Sequence, residues 1–115
     1  VQIKTSEPWQ KKHIKSVTQN YSKTAFFGVY ADGFFDILNR KWNYLIDLNL
    51  ELIYFFAKQL GITTKFILSS ELDIGGSGTQ RLIDIIHVLK GNRFYEGSAG
   101  RNYIDTDIFE QAGIF

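Results

Sequence analysis

The sequence is 115 residues long, 44% hydrophobic and 22% charged, with a formal net charge of +1 and no cysteine. That length is about one domain of chain, and the balance of apolar to charged residues excludes a disordered tail. A near-neutral charge gives no global pull toward nucleic acid or an anionic membrane. Without cysteine there is no disulfide framework, zinc–thiolate site or thiol nucleophile. No apolar run approaches the roughly 18–20 residues that cross a bilayer and no signal-peptide pattern opens the chain, so the expected location is the cytoplasm. Aromatic residues reach 16% and often stand in pairs, as in Phe26-Phe27, Phe34-Phe35 and Phe55-Phe56. That is a large apolar payload for a small body. A start at Val1 and the lack of methionine lead to the expectation of a piece of a longer protein.

In chain order, residues 1–5 alternate apolar and polar and read as a strand end. Ser6-Glu7-Pro8-Trp9 has the chemistry of a helix start, with a capping-type serine and a proline where no amide hydrogen is needed. Trp9, His13, Ile14, Val17 and Tyr21 then recur at helical spacing, while Lys11, Lys12 and Lys15 lie off that stripe. His13 is expected to be a hydrogen-bonded, half-buried residue rather than a catalyst. Residues 23–40 read as two short helices broken at Asp32-Gly33. Residues 42–46 read as a connector that buries an aromatic. Asp47 then caps a helix over 48–60 whose core face is Leu50, Ile53, Phe56, Ala57 and Leu60, with Gly61 as its left-handed stop.

From residue 64 the pattern changes. A short apolar run at 64–69 is followed by a glycine-rich loop, and a helix over 79–90 presents Leu82, Ile85, Ile86 and Leu89. A second run at 93–97 leads into a small-residue loop. This order predicts a βαβ unit over 64–97, and hence an α/β chain, helix-rich, with a small parallel sheet. Both loops would leave the carboxyl ends of strands, where open α/β sheets place ligands. Asp105 is expected to cap a last helix, with Ile104 and Phe109 as its hydrophobic staple and Gly113 as its end.

The first loop offers Ser69, Ser70, Gly76, Gly78 and Thr79 for close backbone approach to an anion, and Arg81 for a bidentate contact. A surface loop ending in a threonine cap is an equal reading, because Glu71 and Asp73 would repel an anion and neither GxxxxGK[ST] nor GxGxxG is present. The second loop, Gly97-Ser98-Ala99-Gly100-Arg101-Asn102-Tyr103, is the better candidate. Its small residues and its Arg, Asn and Tyr make a cradle for phosphate or carboxylate, with a tight turn that packs Tyr103 on the last helix as the alternative. No HExxH, EF-hand or Ser-His-Asp pattern is present, no metal ligands are indicated, and the residues single out no cofactor and no catalytic group.

Several segments, in order, carry a resemblance. They are Trp9-Gln-Lys-Lys-His-Ile-Lys-Ser-Val-Thr-Gln-Asn-Tyr-Ser-Lys23, Leu48-Asn-Leu-Glu-Leu-Ile53, Leu60-Gly-Ile-Thr-Thr-Lys-Phe-Ile-Leu-Ser-Ser-Glu-Leu72, Thr79-Gln-Arg-Leu-Ile83 and Tyr95-Glu-Gly-Ser-Ala-Gly-Arg-Asn-Tyr-Ile-Asp105. The chain resembles the C-terminal portion of WbqC-like family proteins. Those are bacterial and longer by a first half that opens on a Met-Gln-Pro-Tyr-type segment, absent here. Prolines that such proteins carry near Ala25-Phe26 and Ala99 are also absent. The resemblance implies a transferase-related protein of surface-polysaccharide (O-antigen) biosynthesis, with transfer of glycine or another acyl group to a sugar. It would bind a small anionic ligand, a sugar nucleotide or an amino acid, at the strand-end loops. The rival expectation is a non-catalytic module that forms homo-oligomers through aromatic surfaces at 26–35 or 54–56.

Overall fold

The computed structural model describes residues 1–4 and 6–115, apart from the side chain of Arg101. Its elements are α1 (Trp9–Tyr21), α2 (Phe27–Asn39), α3 (Leu45–Gln59), α4 (Gly78–Val88) and α5 (Thr106–Gln111). Short 3-10 turns lie at Ser69–Glu71 and Ser98–Asn102. The chain divides into two compact units, Val1–Thr64 and Lys65–Phe115.

In the first unit, Ile37 and Leu38 of α2 and Leu48 of α3 form the buried centre, with Trp9 and Ile14 of α1, Phe34, Phe55 and Ile3 packed around it. Fully burying a side chain of this kind contributes about 1.5–3 kcal/mol, so this small cluster is what holds the helices together. The Trp42 indole donates to the Ile37 carbonyl at 2.8 Å. That carbonyl, at the end of α2, also accepts the Arg40 amide at 3.3 Å. Ahead of α1, Gln2 forms an isolated antiparallel bridge to Tyr44, with the Ile3 amide bonded to the Asn43 carbonyl at 2.9 Å. The expected strand end at 1–5 is thus a single bridge, and Thr5 lies outside the described residues.

Three local readings need correction. Pro8 occupies the N-cap of α1 and no side chain caps that helix, so Ser6 does not act as its cap. The Asp32-Gly33 break is absent, and α2 runs unbroken from Phe27 to Asn39. A β-carbon on Gly33 would stand 2.7 Å from Phe55 Cε2. The glycine serves close packing of Phe55 on α2, which outweighs its poor helix propensity. Finally, α3 begins at Leu45 with Asp47 inside its first turn, where a carboxylate favours the helix dipole. Its buried residues are Leu48 and Ala57, while Ile53, Phe56 and Leu60 are exposed. Gly61 closes α3 with φ +67° as expected.

In the second unit Ile83 and Ile86 of α4 pack with Phe109 of α5 and Ile114, and Leu82, Phe94, Ile104 and Ala112 surround them. Leu89, expected on that face, is exposed. The last turn of α4 is closed by the Gly91 amide on the Ile86 carbonyl at 2.8 Å, and Lys90 takes the left-handed conformation at φ 57°. At the other end of the unit Asp105 Oδ1 accepts the amides of Asp107 and Ile108 at 3.1 and 3.3 Å, the expected cap.

The parallel sheet is not there. Among the described residues no strand forms, and the runs at 64–69 and 93–97 do not pair with each other. The second run pairs with the end of the chain instead. Phe94 donates to the Phe115 carbonyl at 3.0 Å, and Phe115 donates to the Asn92 carbonyl at 3.0 Å. Short apolar runs satisfy a strand template and a packed irregular segment alike. Here only Phe94 of the second run enters the core, while Tyr95 is 87% exposed. A parallel ladder needs both strands buried on both faces, and these runs are not.

Candidate functional site

The site grows out of the turn between Phe94 and α5. Glu96 folds back so that its Oε1 accepts the Gly97 amide at 2.9 Å. The chain then tightens into the 3-10 turn Ser98–Asn102, with the Gly100 amide on the Gly97 carbonyl at 2.8 Å. The Gly100 carbonyl in turn accepts the amides of Tyr103 and Ile104 at 3.0 and 2.9 Å. Gly100 is buried, and a β-carbon there would run into Glu96 Cγ and stand 3.1 Å from Ile104 Cδ1. Glycine is required here by space, because the stem of Glu96 lies across the turn.

Beneath this turn lies an open hollow of about 600 Å³, a size common among small-molecule sites. Its apolar side is made by Phe94, Ile104, Phe109, Ile114 and Phe115, with the Phe94 and Phe109 rings 5.4 Å apart. Glu96, Ser98, Thr106 and Glu110 supply its polar groups, and Gly97 and Gly100 its backbone. Asn102 and Tyr103 belong to a neighbouring depression with Asp105 and Asp107. Tyr103 links the two faces. Desolvation first, and then the charge and hydrogen bond of the Glu96 carboxylate, raise its phenol above its ordinary value.

The structure therefore brings Gly97, Ser98 and Gly100 to one hollow and places Asn102 and Tyr103 beside it. The Arg101 side chain lies outside the described residues. The first loop does not contribute to the hollow. Ser69 and Ser70 are exposed in their own 3-10 turn, while Gly76 and Gly78 use their freedom at φ +77° and +61°. Thr79 is not a cap: α4 begins at Gly78 with Ser77 before it. Its hydroxyl accepts the Asp105 amide at 3.2 Å, which ties the start of α4 to the start of α5. Arg81 Nε donates to the Ile74 carbonyl at 3.3 Å and so closes its own loop. Sequence reasoning missed Glu96, Thr106 and Glu110. The available signal was an acid directly before a glycine-rich turn.

The first unit has a different hollow, of about 370 Å³. Its lining includes Tyr21, Phe26, Phe27, Tyr30, Phe34 and Phe56, and Phe26 is 68% exposed. His13 is an exposed residue whose Nδ1 donates to the Trp9 carbonyl at 2.8 Å, a local helix contact.

The family model for WbqC-like proteins matches residues 1–115. The chain belongs to the WbqC-like protein family. A curated relative of this WbqC-like chain, an uncharacterized protein of Mycobacterium tuberculosis, is 28% identical over 107 residues, covering 92% of this chain and 46% of the relative. The chain thus spans about half the length of the curated relative it matches. No solved structure matches it significantly. Among the described residues, no helix of this WbqC-like chain is long and apolar enough to cross a membrane.

Proposed function

We propose that this chain is the ligand-holding part of a longer, cytoplasmic WbqC-like protein that acts as a transferase in bacterial surface-polysaccharide (O-antigen) biosynthesis. Its chemistry would be transfer of glycine or another acyl group to a sugar. The observation that carries the binding role is the hollow under the 97–103 turn, where an apolar wall faces carboxylates and hydroxyls. Small-molecule sites combine those features. Gly97, Ser98 and Gly100 would contact the ligand in the hollow, and Asn102 and Tyr103 would hold the part that reaches the neighbouring depression. Arg101 would bring the turn's cation to a phosphate or carboxylate on the ligand, and a guanidinium suits that role by its planar fork of donors. The remaining first-loop positions, Ser69, Ser70, Gly76, Gly78, Thr79 and Arg81, have a lesser place in this reading, since none lines the hollow.

A thermal-shift screen tests it, with sugar nucleotides, nucleotides, acyl-coenzyme A, glycine and sulfate as probes. A ligand at about one hundred times its dissociation constant stabilises the fold by about 2.7 kcal/mol. A hit that is lost in a folded Arg101→Ala protein supports the reading, and a flat response across the panel counts against it.

The apolar hollow of the first unit favours a second reading, a non-catalytic module that self-associates through its aromatic surface. Sedimentation of a monomer at tens of micromolar would remove it.

A further inference from the structure

We infer that the hollow under the 97–103 turn takes the ring of a neutral sugar, so that any phosphate or carboxylate of the same ligand stays outside it. The inference rests on the proposal that this hollow is the binding site. Among its described lining residues the charged groups are Glu96 and Glu110, both acids. A phosphate placed there would meet two carboxylates. Four amides of the turn are also in use: that of Gly97 on Glu96 Oε1, those of Gly100, Tyr103 and Ile104 on carbonyls of the turn itself. Those four amides are therefore closed to an anion before a ligand arrives, which weakens a backbone nest at this turn.

A sugar ring meets the same walls differently. It has an apolar face of C–H groups, which fits against Phe94, Phe109 and Ile104, and a rim of hydroxyls that donate. Carboxylates are the strongest neutral-ligand acceptors a protein offers, since their hydrogen bonds are charge-assisted. Ser98 and Thr106 add hydroxyls that both donate and accept. A cation would also be drawn to the two acids. The aromatic and aliphatic wall gives a small hydrated ion nothing, however, and among the described residues no group of three metal-ligating side chains stands together.

Saturation-transfer NMR on this chain tests the inference with three probes used separately: a free neutral hexose, uridine diphosphate and ethylammonium. Amide shifts are recorded across residues 94–115. The expected result is saturation of the hexose ring protons together with shifts at Gly97, Ser98 and Thr106. Ser98→Trp, which fills the hollow from an exposed position, should abolish both, and Glu110→Gln should weaken hexose binding roughly tenfold, the loss expected for one charge-assisted hydrogen bond. If uridine diphosphate or ethylammonium moves those amides and the hexose does not, the sugar assignment is overturned while the hollow remains a site. If no probe moves them, the sugar assignment and the binding site fall together.

Discussion

In the first unit Gly33 lets the ring of Phe55 come down on the backbone of α2, whereas in the second Gly100 lets the stem of Glu96 fold across a turn. Both glycines are there for space, yet one joins apolar surfaces and the other holds a carboxylate at the edge of a hollow. The first unit is built of three helices of 13, 13 and 15 residues. The second has helices of 11 and 6 residues and long irregular connections. Long helices present continuous apolar faces and need few side-chain devices. Short ones depend on caps and turns, and those same turns carry the polar groups available for binding.

The sharpest break of this comparison is Phe109→Ala. The residue is 6% exposed and joins α5 to Ile83, Ile86 and Ile114. Its truncation should cost about 3–5 kcal/mol in urea unfolding. Faster hydrogen exchange in α4 is expected with it, and unchanged exchange there would mean that α5 does not brace α4. Next in size is Gly33→Val, which forces Phe55 from its place and should lower stability by about 1–3 kcal/mol. An equal or higher urea midpoint would show that α2 can tolerate a side chain at this contact.

Asp105→Ala tests the reliance of the second unit on local devices. Loss of a cap that holds two amides should cost about 1 kcal/mol, whereas Ser6→Ala, at a position that does not cap α1, should cost close to nothing. Similar losses for both would contradict that contrast.

The smallest effect is the ionisation of Tyr103. Its phenol is raised in the folded protein by desolvation and by Glu96, so the fold favours the neutral form. The stability this contributes is whole below the ordinary phenol value near 10 and is lost as pH rises through the higher folded value. Absorbance titration should show Tyr103 ionising late. Glu96→Gln should bring it earlier, and no change would place the cause elsewhere than the carboxylate.

Several features were legible in the residues because their chemistry is local. Asp105 as a cap, Gly61 and Gly113 as helix ends, and the Ile104–Phe109 staple each depend on neighbours within a few positions. The family was legible too, from ordered segments that run through most of the chain. The small-residue turn at 97–103 stood out in the same way, and among its described residues Gly97, Ser98 and Gly100 line the hollow.

Two helix starts were misplaced locally, since Ser6 does not cap α1 and Asp47 lies inside the first turn of α3, but the larger errors involve long-range choices. Gly33 looked like a break because Phe55, its reason for being there, lies 22 positions on in sequence. Two apolar runs looked like paired strands, and only folding shows that Phe94 pairs with Phe115 instead. Glu96 had no visible role until the turn brought it over Gly100. By itself, then, the sequence determined the family, the Asp105 cap of α5, the glycine stops after α3 and α5, and the position of the small-residue turn. The tertiary structure alone decided which backbone paired with which, which face of each helix was buried, and which carboxylates line the hollow. Caps and turns are set by bonds a few residues long, whereas pairing and burial depend on which distant surfaces win the competition to exclude water.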